Sequence, residues 1–161
     1  MKNPMQHSNH FAAIIDSPLG HLGIKMTDDS LASIHFLSKK IRLKPPTNIL
    51  TKQVVKEFSD YFHGVNHPFS IPFHTEGTPF QKRVWQALLK IPYGKTITYG
   101  SLAKKLGTHA RAIGGACRTN PIPIIIPCHR VVGSTHLGGY LGDTRGQKFS
   151  CKQWLLEHEK G

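Results

Sequence analysis

Residues 11–37 alternate apolar and polar positions in three short runs separated by turn formers. "FAAIID" is an apolar strand and "SPLG" a Pro/Gly turn. "HLGIKM" alternates, "TDDS" turns again, and "LASIHF" alternates with Leu31, Ile34 and Phe36 as core positions. The pattern predicts a β-meander. After the basic, proline-ended loop "KKIRLKPP", the residues Leu50, Val54, Phe58, Tyr61 and Phe62 recur at helical spacing, and Gly64 is the stop. "HPFSIPF" predicts a last strand, confined to a sheet edge by its prolines.

From "TEGTPF" onward the period becomes helical. Thr78 with Gln81 three residues on predicts a capping box, and Pro79 takes the favoured first helical position. Phe80, Val84, Ala87, Leu88 and Ile91 share one face, and Pro92 and Gly94 end that helix. "KTITY" predicts a short strand. "GSLAKKLG" is a short helix closed by Gly107, and "THARAIGGACRTN" is another, ended by Asn120 and Pro121. Two short helices joined by a glycine-containing turn predict a helix-turn-helix. A last helix is expected over about Gln147 to Glu159, with Cys151, Trp154, Leu155 and His158 on one face. The change of period places a domain boundary between 1–76 and 77–161.

Composition narrows the class. The chain has 161 residues, 39% hydrophobic, enough for one compact domain or two small ones. Its apolar runs are too short to span a bilayer, and "MKNPMQHSNH" lacks the apolar centre of a signal peptide. Three cysteines without close pairing, Cys117, Cys128 and Cys151, fit a reducing compartment rather than a disulfide framework. A cytoplasmic protein is expected, or a nuclear one in a eukaryote. Residues 1–74 carry 8 Lys and Arg against 5 Asp and Glu, whereas residues 75–161 carry 13 against 4. A basic C-terminal half points to a polyanion partner, nucleic acid first.

The second helix of the pair, "ARAIGGACR", has almost no bulk. Adjacent glycines cost about 1 kcal/mol each relative to alanine in a helix. A slim helix can pack closely on a neighbouring helix, or enter a narrow groove of DNA with Arg111 in front and Arg118 behind. The charge favours the groove. Few long side chains are left to read bases, which predicts weak sequence specificity.

"IPIIIPCHRV" carries the candidate chemistry. Cys117 and Cys151 sit in helical patterns and are expected as small buried hydrophobes. Cys128 instead has Pro127, His129 and Arg130 as neighbours. Cations lower a thiol pKa, and a neutral imidazole can take its proton. On a regular strand, adjacent side chains point to opposite faces, so His129 needs an irregular turn or a bridging water to serve Cys128. A zinc site is disfavoured by the absence of C-x-x-C, and the bare Cys-His pair matches no cysteine peptidase pattern.

"GTPFQKRVWQALLKIPYGKTITYGSLAKKLG", "RAIGGACRTNPIPIIIPCHRVVG" and "WLLEHE" resemble the methylated-DNA–protein-cysteine methyltransferases, the O6-alkylguanine-DNA alkyltransferases. The resemblance runs from about residue 77 to 159. "DSPLGHLGI" and "LASIHF" are similar, more weakly, to the family's N-terminal domain. The resemblance implies an α+β chain: a small ribonuclease H-like sheet with a helix, then a helical, winged helix-turn-helix-like C-terminal domain. In some members the N-terminal domain holds zinc partly through cysteines. With no cysteine in residues 1–116, no metal is expected here.

The implied activity is DNA repair by irreversible transfer of the alkyl group from O6-alkylguanine to Cys128, once per molecule and without a cofactor. The implied partner is double-stranded DNA containing that base, bound through the minor groove with low sequence specificity. No membrane is involved, and a monomer is expected. His129 would accept the thiol proton through a water, Glu159 would hold the histidine, and Asn120 would order the same network. Tyr99, Pro123, Arg130 and Tyr140 are expected to bind the substrate base. Arg111 would fill the gap left in the stack, and Ala112, Gly114, Gly115 and Arg118 would line the DNA interface. Two features depart from the family pattern. "LGTHAR" is shorter than usual, and the stretch from about Asp143 to Ser150 is longer, with Arg145 and Lys148 placed to touch phosphate. Two other readings stay open: a relative that flags alkylated DNA without reacting, and a winged-helix regulator with a buried thiol.

Overall fold

The structure, a computed structural model, describes residues 10–142, 144 and 146–161. The chain divides between Thr75 and Glu76 into two compact units.

In the first unit, β1 (Ala13–Ile15), β2 (His21–Met26) and β3 (Leu31–Leu37) form an antiparallel meander in the order β1-β2-β3. The register pairs Ile14 with Gly23, Leu22 with Phe36, and Ile24 with Ile34. Ala13, Leu22, Ile24, Leu31 and Ile34 are thereby buried. Helix α1 (Ile49–Phe62) starts where the Asn48 side chain accepts the Thr51 N–H at 2.8 Å, satisfying one of the donors that every helix start leaves open. Val54, Phe58 and Tyr61 face inward, and Gly64 at φ 84° turns the chain out of the helix.

The expected edge strand over "HPFSIPF" is not formed. Only Phe73 bridges β3, in parallel with Leu31, through Leu31 N–H to Pro72 O and His74 N–H to Leu31 O. Pro68 and Pro72 have no N–H to donate, so the ladder cannot extend.

The second unit is mostly helical. Helix α2 (Pro79–Leu88) begins with the Thr78–Gln81 capping box formed in both directions. It ends at Leu88, before Ile91, and the chain continues in single turns to Gly94 at φ 78°. Strand β4 (Ile97–Thr98) leads directly into α3 (Tyr99–Leu106), capped by Thr98 and closed by left-handed Gly107. A three-residue corner, 107–109, then starts α4 (Ala110–Arg118), where His109 Nδ1 accepts the Ala112 N–H. β4 pairs in parallel with β5 (Val131–Val132). This pairing pins the stretch just before β5 beside the start of α3. The last helix, α5 (Gln147–Glu159), packs on that stretch. Among the described residues no helix is long and apolar enough to cross a membrane.

Candidate active site

The loop between α4 and β5 is built to present Cys128. Asn120 is buried; its Oδ1 accepts the Ile122 N–H at 3.0 Å and its Nδ2 donates to Ile126 O at 2.8 Å. Ile126 N–H closes onto Ile122 O at 2.9 Å. This knot forces Ile124 to φ 76°, an unfavourable region for a β-branched side chain that costs about 1–3 kcal/mol. Three hydrogen bonds and full burial of Ile122, Ile124 and Ile126 hold it there. The chain then enters a 3₁₀ turn, Cys128–Arg130, with Pro127 ahead of it. The turn is the irregularity that Cys128 and His129 need to escape the opposite faces of a strand.

His129 is fully buried, and its Nε2 lies 2.7 Å from Glu159 Oε2. A carboxylate accepts, so Nε2 carries the proton. That leaves Nδ1 as the lone-pair nitrogen, and among the described residues no group engages it. Arg130 grips the same carboxylate as a fork: Nε donates to Oε1 at 2.7 Å and Nη2 to Oε2 at 3.0 Å. Burial alone would raise the Glu159 carboxyl, but the hydrogen bonds from His129 and Arg130 outweigh it and hold the group well below the carboxylate range. Burial pulls the imidazole of His129 down; the Glu159 carboxylate opposes this, while Arg130 and Lys152 add to it. The resting pair is neutral imidazole and ionised carboxylate.

Burial pushes the Cys128 thiol up to about 11, although a hydrogen bond from Asn120 and the charge of Lys152 favour the thiolate. The thiol is therefore protonated at rest and needs a base. Lys152 is completely buried. Its Nζ donates to Val131 O at 2.7 Å, to Gly139 O at 2.8 Å and to Tyr99 Oη at 3.4 Å. It also stands 5.5 Å from the Tyr99 ring centre, and burial pulls it down to about 8. One ammonium thus ties β5, the loop 133–142 and the start of α3 together around Cys128.

A cavity of about 870 Å³ opens between Tyr99, the face of α4 and that loop. Arg111, Gly114, Gly115, Cys117 and Arg118 line one side, and Ser134, His136, Gly138 and Leu141 the other. It is large enough for a purine. Cys128, 3% exposed, is not on the lining, but it is near enough that its ionised form would act on Tyr99 and Cys117, which are. Side chains built on Gly114 or Gly115 would meet nothing within 4 Å, so the slim face of α4 is open rather than packed on another helix.

The comparisons with known proteins agree with this geometry. The model of the 6-O-methylguanine DNA methyltransferase DNA-binding domain matches residues 79–161, and that of the same family's ribonuclease-like domain matches residues 11–75. The chain belongs to the 6-O-methylguanine DNA methyltransferase family. It is 36% identical over 156 residues to the methylated-DNA--protein-cysteine methyltransferase of Methanosarcina acetivorans, covering 92% of this chain and 97% of that one. The constitutive enzyme of Bacillus subtilis is 35% identical over 159 residues, with 90% and 92% covered. The crystal structure of the Mycobacterium tuberculosis O6-methylguanine methyltransferase in complex with DNA superposes with a TM-score of 0.78 at 39% identity, over 91% of each chain.

In this methyltransferase the structure buries Cys128, His129, Glu159 and Asn120, as an Asn120–Cys128 pair and a His129–Glu159 pair, and sets Tyr99, Arg111, Gly114, Gly115 and Arg118 on the cavity. It separates others. Arg130 is committed to Glu159, to Ile91 O at 2.7 Å and to the Tyr93 ring, and does not line the cavity expected to take the base. Pro123 and Tyr140 are buried off the lining, and Ala112 is half-buried on α4. Cys117 is buried as expected, and it also reaches the cavity wall. Asp143 and Arg145 of the long stretch lie outside the described residues. Lys152 was missed altogether. Its signal was present: Lys152, Leu155, Leu156 and Glu159 fall at i, i+3, i+4 and i+7, the spacing of one helix face.

Proposed function

We propose that this chain repairs DNA by transferring an alkyl group from the O6 atom of guanine to the sulfur of Cys128, irreversibly and once per molecule. The carrying observation is the unengaged Nδ1 of His129, fixed as a lone-pair base by Nε2–H to Glu159, one residue from a buried thiol beside a purine-sized cavity. The Cys128 proton passes to that nitrogen through a water. The thiolate forms the S–C bond, and the C–O6 electron pair leaves with guanine. Burial raises the Tyr99 phenol, keeping it a neutral donor for the departing base. The thioether has no leaving group for water to displace, so no cofactor and no turnover follow.

DNA is met through α4. Its open glycine face fits the minor groove, Arg111 fills the stack behind the extruded base, and Arg118 reads phosphate, giving low sequence specificity. The protein acts as a monomer. A duplex carrying radiolabelled O6-methylguanine tests this reading: one label per chain is expected, none with Cys128→Ala, and affinity falling steeply with salt. Binding without transfer by the wild-type chain would leave only a damage-flagging role.

A further inference from the structure

Every nitrogen of the Arg130 guanidinium is used inside the protein. Nε and Nη2 hold the two oxygens of Glu159, and Nη1 donates to Ile91 O. The side chain is 11% exposed and the carboxylate 1%. Gly94 N–H reaches Oε1 at 3.4 Å, so the carboxylate is closed on that side. His129 Nε2 lies on the same carboxylate, 2.7 Å from Oε2. A buried carboxylate next to an imidazole ordinarily draws a proton onto the ring, and a protonated ring cannot take the proton of a thiol. Here a second cation occupies both oxygens.

We propose that Arg130 is a positioning residue that keeps His129 a neutral base, by balancing the Glu159 charge while sharing Oε2 with the His129 Nε2–H that fixes the tautomer. This rests on Cys128 being the nucleophile and His129 its proton acceptor. In that step the Sγ–H bond breaks heterolytically, the proton ends on Nδ1, and the electron pair stays on sulfur to attack carbon. Among the described residues, the charged groups acting on His129 are Glu159 and Lys152 of α5 and Arg130 of its own turn. Tyr93, in the loop after α2, faces Arg130 and Glu159. Lys152 carries a charge of the same sign but is bonded to Val131 O and Gly139 O, not to the carboxylate. Arg130 is bonded to the carboxylate and carries the balancing charge.

The test is an NMR titration of the His129 ring in the folded chain, run beside the single-turnover rate against pH. In Arg130→Gln the ring midpoint is expected to rise by about one unit or more, the scale of a lost close charge. The acid limb of the rate profile should move up with it, and the rate should return toward wild type at higher pH. Arg130→Lys, which keeps the charge and loses the fork, is expected to shift both less. If Arg130→Gln does not fold, Arg130→Lys decides: a raised midpoint supports the proposal. A uniform loss of rate with the midpoint unmoved overturns it and makes Arg130 a structural tie only. The titration needs no activity. A shifted midpoint in a chain that transfers nothing would sink the alkyl-transfer reading and leave the Arg130–His129 coupling standing.

Discussion

The two units bury different materials. In residues 10–75 the largest fully buried side chains are Ile14, Leu22, Ile24, Leu31 and Phe58, all apolar. In residues 76–161 an ammonium, an imidazole and a carboxylate, those of Lys152, His129 and Glu159, are buried among Leu88, Ile113, Ile122 and Leu155. Buried charges seldom add net stability over well-packed apolar groups. The first unit is packed as an apolar core, and the second buries the groups to which the proposed transfer assigns chemistry. The contrast can be broken from either side.

The largest effect is expected where a buried ion loses its partner. Glu159→Ala leaves Arg130 and His129 uncompensated and should lose about 3–5 kcal/mol in denaturant unfolding, with transfer falling too. Phe58→Ala, in the apolar unit, should lose a similar ~3–5 kcal/mol. The pH dependence of transfer, however, should stay where it is. If Phe58→Ala moved that dependence, the division of labour would be wrong.

Lys152→Met comes next. The side chain keeps its length and loses its charge, so stability should change by no more than about 2 kcal/mol in either direction. Transfer should fall roughly 10²-fold, because Tyr99 and the loop at Gly139 lose their common tie. Stopped-flow transfer beside a melting curve separates the two. Acid then probes Glu159, below the range in which the buried and likewise lowered His129 takes its proton in the unfolded chain. Its carboxyl is depressed in the folded chain, so its contribution is complete above the ordinary value of 4.5 and is lost as pH falls below it. Glu159→Gln should flatten that acid limb. The smallest change is Thr51→Val. Thr51 Oγ1 is buried without a hydrogen-bond partner among the described residues, and replacing it should be neutral or gain about 1 kcal/mol.

Local signals were legible in the sequence. The meander, the Thr78 cap, the Gly107 stop and the bounds of α5 follow from neighbouring residues and appear as expected. What failed depends on contacts distant along the chain. The stretch 67–73 reads as a strand by its apolar residues, yet its prolines allow one bridge only. On α5, Trp154 and His158 were expected inward with Leu155. They stack on each other half-buried, and Lys152 and Glu159 go in instead. A lysine in a basic chain reads as solvated, and only the carbonyls of Val131 and Gly139 reveal otherwise. The resemblance implies that Arg130 binds the substrate, but Glu159, 29 residues on, claims it.

Two thiols lie near the cavity, and the account chooses between them. Cys117 is on its wall but is raised by burial and by the nearby Cys128. Cys128 sits deeper, with a hydrogen bond from Asn120 and a base beside it. Mass spectrometry of the chain after reaction with a duplex containing O6-methylguanine decides the matter. One methyl group on the peptide holding Cys128, with Cys117 and Cys151 untouched and no second methyl on longer incubation, is the predicted result. A methyl on Cys117, or a chain recovered unmodified beside demethylated DNA, would contradict it.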